Sequence, residues 1–231
     1  MIAIKPKKNS KIVFILIISI LVVAILIFLI FRIMNYKNTK LGNNISDKTL
    51  KEIEEYILNI SSYETEIDVT VEGNKTTNKY ILKQKFSSPN IVYQEVVEPK
   101  NIEGLTIKFD GSNLEISNSK LGLNTIYENY TYIADNVLWL SDFIENYKEN
   151  SGTIAEENGL IIMETKCDNN KYSAYEKLYI DRNANKITKL VIEDENRKSK
   201  IYITYNKIEI GGLTKDSVLA FKNTIIDSND I

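Results

Sequence analysis

The chain contains no histidine and only one cysteine, Cys167, among its 231 residues. Histidine is the commonest general base and metal ligand, so its absence removes the usual centre of acid–base catalysis and of metal binding. A single cysteine cannot form an intramolecular disulfide, so packing alone has to hold the fold. The P-loop, G-x-S-x-G, H-E-x-x-H and paired C-x-x-C motifs are absent as well. These absences predict a protein that is not an enzyme, with no catalytic residue, no metal site and no cofactor.

Acidic residues are missing from the first 40 positions, which hold seven of the 29 basic residues. This segment contains a 20-residue apolar run, Ile12 to Phe31, that only Ser19 interrupts. As a helix the run would be about 30 Å long, the thickness of a bilayer's hydrocarbon core. Four lysines precede the run and three basic residues follow it, which favours a cytoplasmic N-terminus.

The end of this run offers no site for removal or lipidation. A cleavable signal ends in small residues, whereas Leu29–Met34 contains none, and no cysteine follows to accept a lipid. The sequence therefore predicts an uncleaved signal-anchor of a single-pass membrane protein. We divide the chain into a cytoplasmic tail (1–11), a transmembrane segment (12–34), a tether (35–45), an extracytoplasmic domain (46–213) and a C-terminal tail (214–231).

The part of the chain beyond residue 40 is acidic. It keeps 22 basic residues against 31 acidic ones, a formal charge of −9. Nucleic acid requires a basic footprint to match its phosphates, so this balance argues against nucleic acid as a partner.

The spacing of apolar residues predicts a helix, a long series of strands, and a second helix within that series. Helical spacing covers Asp47 to Ile60, with Ser46 or Asp47 as the cap, and returns from Asn136 to Tyr147. Elsewhere apolar and polar residues alternate, as on half-buried antiparallel strands. Strands are predicted near 66–72, 80–86, 91–97, 105–109, 114–116 and 125–132, then at 154–157, 160–166, 173–181, 186–193 and 200–210. This order predicts a mainly β (α+β) fold with one curved antiparallel sheet wrapped around helices.

Several polar groups were weighed as sites, and most have a simpler structural interpretation. Glu64, Glu66 and Asp68 share one strand face and should be solvated, while Asp110 should begin a turn near Glu115. The charged run 194–198 is expected to be a hairpin loop, and the sequons at Asn44, Asn59, Asn74 and Asn129 are expected by chance in an Asn-rich chain. Two interpretations of Cys167 stay open: a thiol that pairs with another chain, and a half-buried structural residue. Trp139 and most of the tyrosines are assigned to the core rather than to a ligand groove.

The central block resembles a known family. Its residues run Pro89-Asn90-Ile91-Val92-Tyr93-Gln94-Glu95, then Glu98-Pro99, Gly104-Leu105-Thr106-Ile107, Phe109-Asp110-Gly111 and Leu114-Glu115-Ile116. This order is similar to that of the LolA/LolB and RseB-type lipoprotein carriers. The resemblance implies a half-barrel sheet packed over an N-terminal helix and an inserted helical lid. Within that group the chain looks most similar to the clostridial germination lipoprotein GerS and its relatives.

The resemblance implies a function that is not enzymatic. It points to a membrane-attached extracytoplasmic protein of a Gram-positive spore-former, in the cell or forespore membrane. Such a protein would bind and activate a CwlD-type N-acetylmuramoyl-L-alanine amidase in sporulation and germination. The chain departs from the family in lacking a lipid-bearing cysteine, so residues 12–34 would attach it to the membrane instead.

Besides a module whose half-barrel or edges hold a protein partner, two other functions stay open. One is a carrier that accepts an acyl chain or a lipoprotein in the concave face. The other is an envelope sensor of the RseB type. A tethered protein suits holding a partner better than carrying cargo between membranes. The sequence leaves the partner-binding residues unknown and a homodimer open.

Overall fold

The computed structural model describes residues 44–73, 75–130, 137–167 and 172–220. Within them, three helices accompany one antiparallel sheet of eleven strands. The elements are α1 (Leu50–Leu58), β1 (Ser62–Glu72), β2 (Thr77–Ser87), β3 (Ile91–Glu98), β4 (Thr106–Phe109), β5 (Leu114–Asn118), β6 (Leu123–Tyr127), α2 (Leu140–Glu149), β7 (Thr153–Glu157), β8 (Leu160–Lys166), β9 (Tyr175–Asp181), β10 (Lys186–Glu193), β11 (Ser199–Ile210) and α3 (Lys215–Leu219). The predicted mainly β fold with one antiparallel sheet and a helical insertion is confirmed.

Two series of neighbouring strands meet in the middle of the sheet. The spatial order is β6-β5-β4-β3-β2-β1-β11-β10-β9-β8-β7, so only the pairing of β1 with β11 joins strands that are distant in sequence. This pairing runs from Tyr63 opposite Ile210 to Val71 opposite Ile201. As a result β6 and β7, which are neighbours in the chain, form the two opposite edges of the sheet. The connection between them, which carries α2, has to pass from one edge to the other.

One face of the sheet, which we call the inner face, packs against α1 and α2. Alternation in β1 directs Tyr63, Ile67 and Val69 to this face, and each is at most 1% exposed. The Tyr63 Oη accepts a hydrogen bond from the Ser141 backbone N–H at 3.4 Å, which ties β1 to the start of α2. The core is completed from the helices by buried apolar side chains: Ile53, Ile57, Trp139, Leu140, Phe143, Ile144 and Tyr147.

The opposite, outer face is mostly polar but carries α3. Val218 of α3 is fully buried and packs with Ile91 and Tyr93 of β3. Thr214 begins this helix in a capping box with Ser217. The segment assigned from sequence to a C-terminal tail therefore begins with a short helix on the sheet, because a capping residue and an apolar face occur together there.

The first helix is shorter than predicted. It spans Leu50–Leu58 rather than 47–60, and its cap is Thr49 instead of Ser46 or Asp47. The Thr49 Oγ1 accepts from the Glu52 N–H at 3.3 Å, and a Glu52 carboxylate oxygen accepts from the Thr49 N–H at 2.8 Å. This capping box satisfies two backbone groups at once, which fixes the start three residues later than the sequence indicated.

The inserted helix and the last strand of the first series also differ from their predicted bounds. Helix α2 begins at Leu140, because Trp139 has an extended backbone with φ −100° and ψ 133°. Asn136, the predicted start, lies outside the described residues. Strand β6 spans Leu123–Tyr127 rather than 125–132, and it starts early because Gly122 adopts φ +63°. Residues 131–132 of that prediction lie outside the described residues.

The predicted membrane segment, 12–34, also lies outside the described residues. In the part of the chain that the structure describes, every helix is too short or too polar to cross a bilayer.

Candidate partner-binding edge

Strand β6 forms one edge of the sheet. It pairs with β5 from Leu114 opposite Tyr127 to Asn118 opposite Leu123, and the described residues place no strand on its other side. The turn between the two strands is a single 3₁₀ turn, Ser119–Leu121, closed by Asn118, whose Oδ1 accepts from the Leu121 N–H at 3.1 Å. The free side of an edge strand presents backbone N–H and C=O groups that another strand can pair with.

Apolar side chains are exposed along this edge. Leu121 is 58% exposed, Leu123 38%, Ile126 58% and Tyr127 48%. They make up four of the five large hydrophobic side chains that are exposed among the described residues. Strand alternation directs Leu123 and Tyr127 to the inner face and Ile126 to the outer face, so both faces of the edge are apolar. Clustered exposure of this kind marks a site of interaction.

Strand β6 itself carries no charge, and Glu128 follows it directly, while other charged groups nearby form ion pairs. Residues 121–127 contain neither acid nor base. Lys108 of β4 lies 3.9 Å from Glu115 of β5, and Glu103, in the loop before β4, lies 2.9 Å from Lys120 of the 3₁₀ turn. The ammonium groups of Lys120 and Lys100 hold the pKa of Glu103 below its usual value, so this carboxylate stays ionised and paired. A ligand at the edge therefore meets an apolar surface with little net charge.

The other edge, β7, is also exposed at four of its five residues, but it is charged and is tied to the segment before α1. Glu156 on this strand accepts from the Arg182 Nε at 2.7 Å and from its Nη2 at 2.8 Å. The Arg182 Nη1 donates to the backbone carbonyls of Ile45 and Lys48, both at 2.8 Å. Ile45 is fully buried, so the segment before α1 is fixed against this end of the sheet.

A second feature is a polar cluster beneath α2, centred on Glu176 of β9. Glu176 is 1% exposed, and its Oε1 accepts from the Asn146 Nδ2 at 3.2 Å. Burial, together with the charge of nearby Asp142, raises the pKa of Glu176 to about 7. Hydrogen bonds from Asn146 and the Cys167 thiol act in the opposite direction and lower this pKa. Tyr205, 5% exposed, adjoins the same cluster from β11. Since solvent scarcely reaches Glu176, the cluster bears on how α2 is held rather than on a reaction with a substrate.

The carboxylates weighed from sequence as an acid pair do not form one. Glu64, Glu66 and Asp68 lie on the outer face as expected, and Glu64 pairs with Lys85 at 3.3 Å. Asp110 closes its turn by accepting from the backbone N–H groups of Asn113 at 2.7 Å and Ser112 at 2.8 Å, which lower its pKa. The predicted turn role of Asp110 is confirmed.

Other predicted positions also have structural roles. Asp194 accepts from the backbone N–H groups of Asn196 at 2.9 Å and Lys198 at 3.0 Å, which forms the expected hairpin loop. Cys167 is half-buried and points to Glu176, which favours the structural alternative. Trp139 is 5% exposed, in the core. Three sequon residues, Asn44, Asn59 and Asn129, are exposed, and Asn74 lies outside the described residues.

Sequence reasoning missed both the exposed β6 edge and the buried polar cluster at Glu176. A usable signal existed for Glu176, which alternates in phase with Leu178 and Ile180, two residues that are fully buried. For β6 the signal was weaker: a seven-residue stretch without charge, 121–127, in a chain that is otherwise 26% charged. In the described part of the chain, no group of three or more Cys, Asp and Glu residues is arranged to hold a metal ion.

Comparisons with known proteins give matches among solved structures only. No protein-family model matches the chain, and neither does any curated protein. A chain in the structure of the CwlD amidase from Clostridioides difficile in complex with the GerS lipoprotein is 24% identical, with a TM-score of 0.43; the match covers 68% of this chain and 90% of that one. An uncharacterized conserved protein from Thermus thermophilus is 9% identical, with a TM-score of 0.47, covering 75% and 94%. A LolA-superfamily protein from Nitrosomonas europaea is 9% identical, with a TM-score of 0.40, covering 74% and 97%. The chain is similar to these proteins.

Proposed function

We propose that this chain is a membrane-anchored extracytoplasmic binding protein that holds and activates a CwlD-type cell-wall amidase. The observation that carries the proposal is the uncharged edge at β6, where apolar side chains are exposed on a strand whose outer side has no neighbouring strand among the described residues. Such an edge suits a protein partner. The choice of an amidase as partner comes from the resemblance of residues 89–116 to GerS and its relatives.

In this proposal residues 12–34 fix the domain to the outer side of one membrane. The apolar run supports this placement, because its length matches a bilayer core and its end offers no cleavage site. The sheet would then be the half-barrel of LolA-like proteins, with α2 as its lid.

The carrier alternative has less support. A carrier needs an apolar concavity that is open to an acyl chain. Trp139 and Phe143, which are 5% and 1% exposed, instead occupy the inner face as part of the core. Binding of a protein is therefore the better-supported function.

The test is co-purification of the full chain, with its membrane segment intact, from sporulating cells. We expect an N-acetylmuramoyl-L-alanine amidase in the eluate, and we expect the purified chain to raise the activity of that amidase. A Val92→Lys variant, which places a charge in the core, is the unfolded control. Recovery of lipid without any amidase would contradict the proposal.

A further inference from the structure

We propose that β6 is the docking strand of this protein: an extended, uncharged segment of the partner adds to the sheet beside Leu123–Tyr127. The inference rests on the proposed function, since it specifies how the partner is held. It starts from the free side of β6, which in the described residues offers backbone N–H and C=O groups over a five-residue strand. Pairing with an added strand supplies affinity through the main chain and specificity through alternate side chains.

The side chains of β6 determine what such a segment should look like. Its residues opposite Leu123 and Tyr127 would lie on the inner face, next to two half-exposed apolar side chains. Its residue opposite Ile126 would meet an isoleucine that is 58% exposed on the outer face. Apolar residues at these positions would bury surface that is now in water, and each would stabilise the complex.

Charge selects against other segments. Glu115 and Lys108 are already paired across β4 and β5, and Glu103 is held by Lys120 and Lys100. A charged residue in the added strand would lose water without gaining a counter-charge, so a neutral segment is favoured. The β7 edge suits a neutral apolar segment less well, because Glu156 and Glu157 place two carboxylates on this strand.

A partner segment fits the edge better than a second copy of this chain. A five-residue strand is about 17 Å long. Two folded copies joined only through such edges would contact along that ribbon, well short of the roughly 800 Å² per partner that stable interfaces bury. An extended segment can instead contact both faces of β6 while the rest of the partner adds further contacts.

The first arm of the test measures binding of a purified CwlD-type amidase to the full chain in detergent micelles. We expect Ile126→Lys to weaken binding about tenfold or more, because it places an ammonium group in the added-strand interface. The matched control, Ala155→Lys, puts the same charge on an exposed residue of the β7 edge and should change the affinity less than about twofold. Thermal unfolding of both variants checks that each is folded.

The second arm does not depend on the amidase. Amide hydrogen exchange of the full chain is measured with a capped peptide of core sequence Val-Val-Thr-Thr-Val, which places valine opposite Tyr127, Ile126 and Leu123 in an antiparallel pairing, and with one in which glutamate replaces each threonine. We expect the neutral peptide to slow exchange in residues 123–127 but not in 153–157, and the acidic peptide to have a smaller effect.

The outcomes separate the two proposals. If the amidase binds but Ile126→Lys binds equally well and β6 gains no protection, the docking strand is wrong and the proposed function stands. If the amidase does not bind but the neutral peptide protects β6, the function is wrong and the docking strand stands. A dimer of the chain alone that Ile126→Lys dissociates would show that a second copy occupies the edge, and would overturn the inference.

Discussion

The two edges of the sheet are strands of equal length with opposite surroundings. Both β6 and β7 have five residues. The β7 edge carries Glu156 and Glu157, and Arg182 joins it to the backbone carbonyl of Ile45, a fully buried residue. The β6 edge has exposed apolar side chains and no charge. Proteins ordinarily protect edge strands with charge or with a covering segment. The β7 edge carries charge and is tied by Arg182 to a neighbouring segment, and in the described residues β6 has neither feature, which is why β6 is the candidate for binding.

The topology explains this asymmetry. Helix α1 contacts β7, and α2 contacts β8, so the helical layer lies toward the β7 end of the inner face. The chain enters the sheet at β1, after its N-terminal segment has packed at the β7 end. The buried core lies beneath these two helices, and fewer helical side chains pack over the β6 end of the sheet.

The largest difference between the two ends should appear in stability. Ile45→Ala removes a fully buried side chain from the cover of β7 and should lower the free energy of unfolding by about 3 to 4 kcal/mol. Leu121→Ala, at the β6 end, truncates a side chain that is 58% exposed and should change it by less than about 0.5 kcal/mol. Urea unfolding of both variants gives the comparison. Equal losses would mean that the β6 end is packed as firmly as the β7 end.

The second prediction concerns pH in the covered half. Burial and Asp142 raise the pKa of Glu176 to about 7 from the ordinary value of 4.5. The folded state therefore binds a proton that the unfolded state releases, so the contribution of Glu176 to stability is complete below about pH 4.5 and is lost as pH rises through 7. Glu176→Gln cannot ionise. Its stability relative to the natural chain should therefore increase by about 3 kcal/mol between pH 4 and pH 9.

Urea unfolding at several pH values measures this difference. Lys83→Gln, which changes an exposed lysine of β2, is the control and should show no comparable dependence between pH 4 and pH 9. A difference for Glu176→Gln that does not vary with pH would mean that Glu176 has an ordinary pKa.

The first helix offers a smaller effect. Thr49→Ala removes the side chain that accepts from the Glu52 N–H and should lower the free energy of unfolding by about 1 kcal/mol. Thr49→Ser keeps the hydroxyl and should be nearly neutral. Because α1 contacts β7, hydrogen exchange in β7 should accelerate in the alanine variant while β6 is unchanged. Acceleration at both edges would show that the cap acts on the whole domain.

Local patterns in the sequence predict where the strands are, but they do not predict which strands form the edges of the sheet. Alternation at Ile67, Val69 and Val71 predicts β1 and its inner face, because side-chain direction in a strand is a local property. The start of α1 was wrong because Ser46, Asp47 and Thr49 can all cap a helix. Only Thr49 is followed three residues later by a glutamate, Glu52, which completes a capping box and fixes the start. Arg182 also holds the carbonyls of Ile45 and Lys48 there, from more than 130 residues away.

The exposure of β6 could not be predicted from its own residues. Leu123-Asn124-Thr125-Ile126-Tyr127 has the composition of an ordinary half-buried strand. Its exposure follows from its place at the end of the sheet, which the pairing of β1 with β11 decides. Trp139, by contrast, was assigned correctly to the core, where it is 5% exposed.

The smallest effect on stability is expected for Ile126→Lys, the substitution that should weaken partner binding most. Ile126→Lys exchanges a side chain that is already 58% exposed on β6, so the free energy of unfolding should change by less than about 0.5 kcal/mol. The same substitution at Ile154 of β7, which is partly buried against the core, should destabilise the fold by about 1 to 3 kcal/mol, because it brings an ammonium group toward apolar neighbours. Urea unfolding distinguishes the two. If Ile126→Lys were as destabilising as Ile154→Lys, the apolar side chains of β6 would serve the core, and their exposure would no longer mark a binding edge.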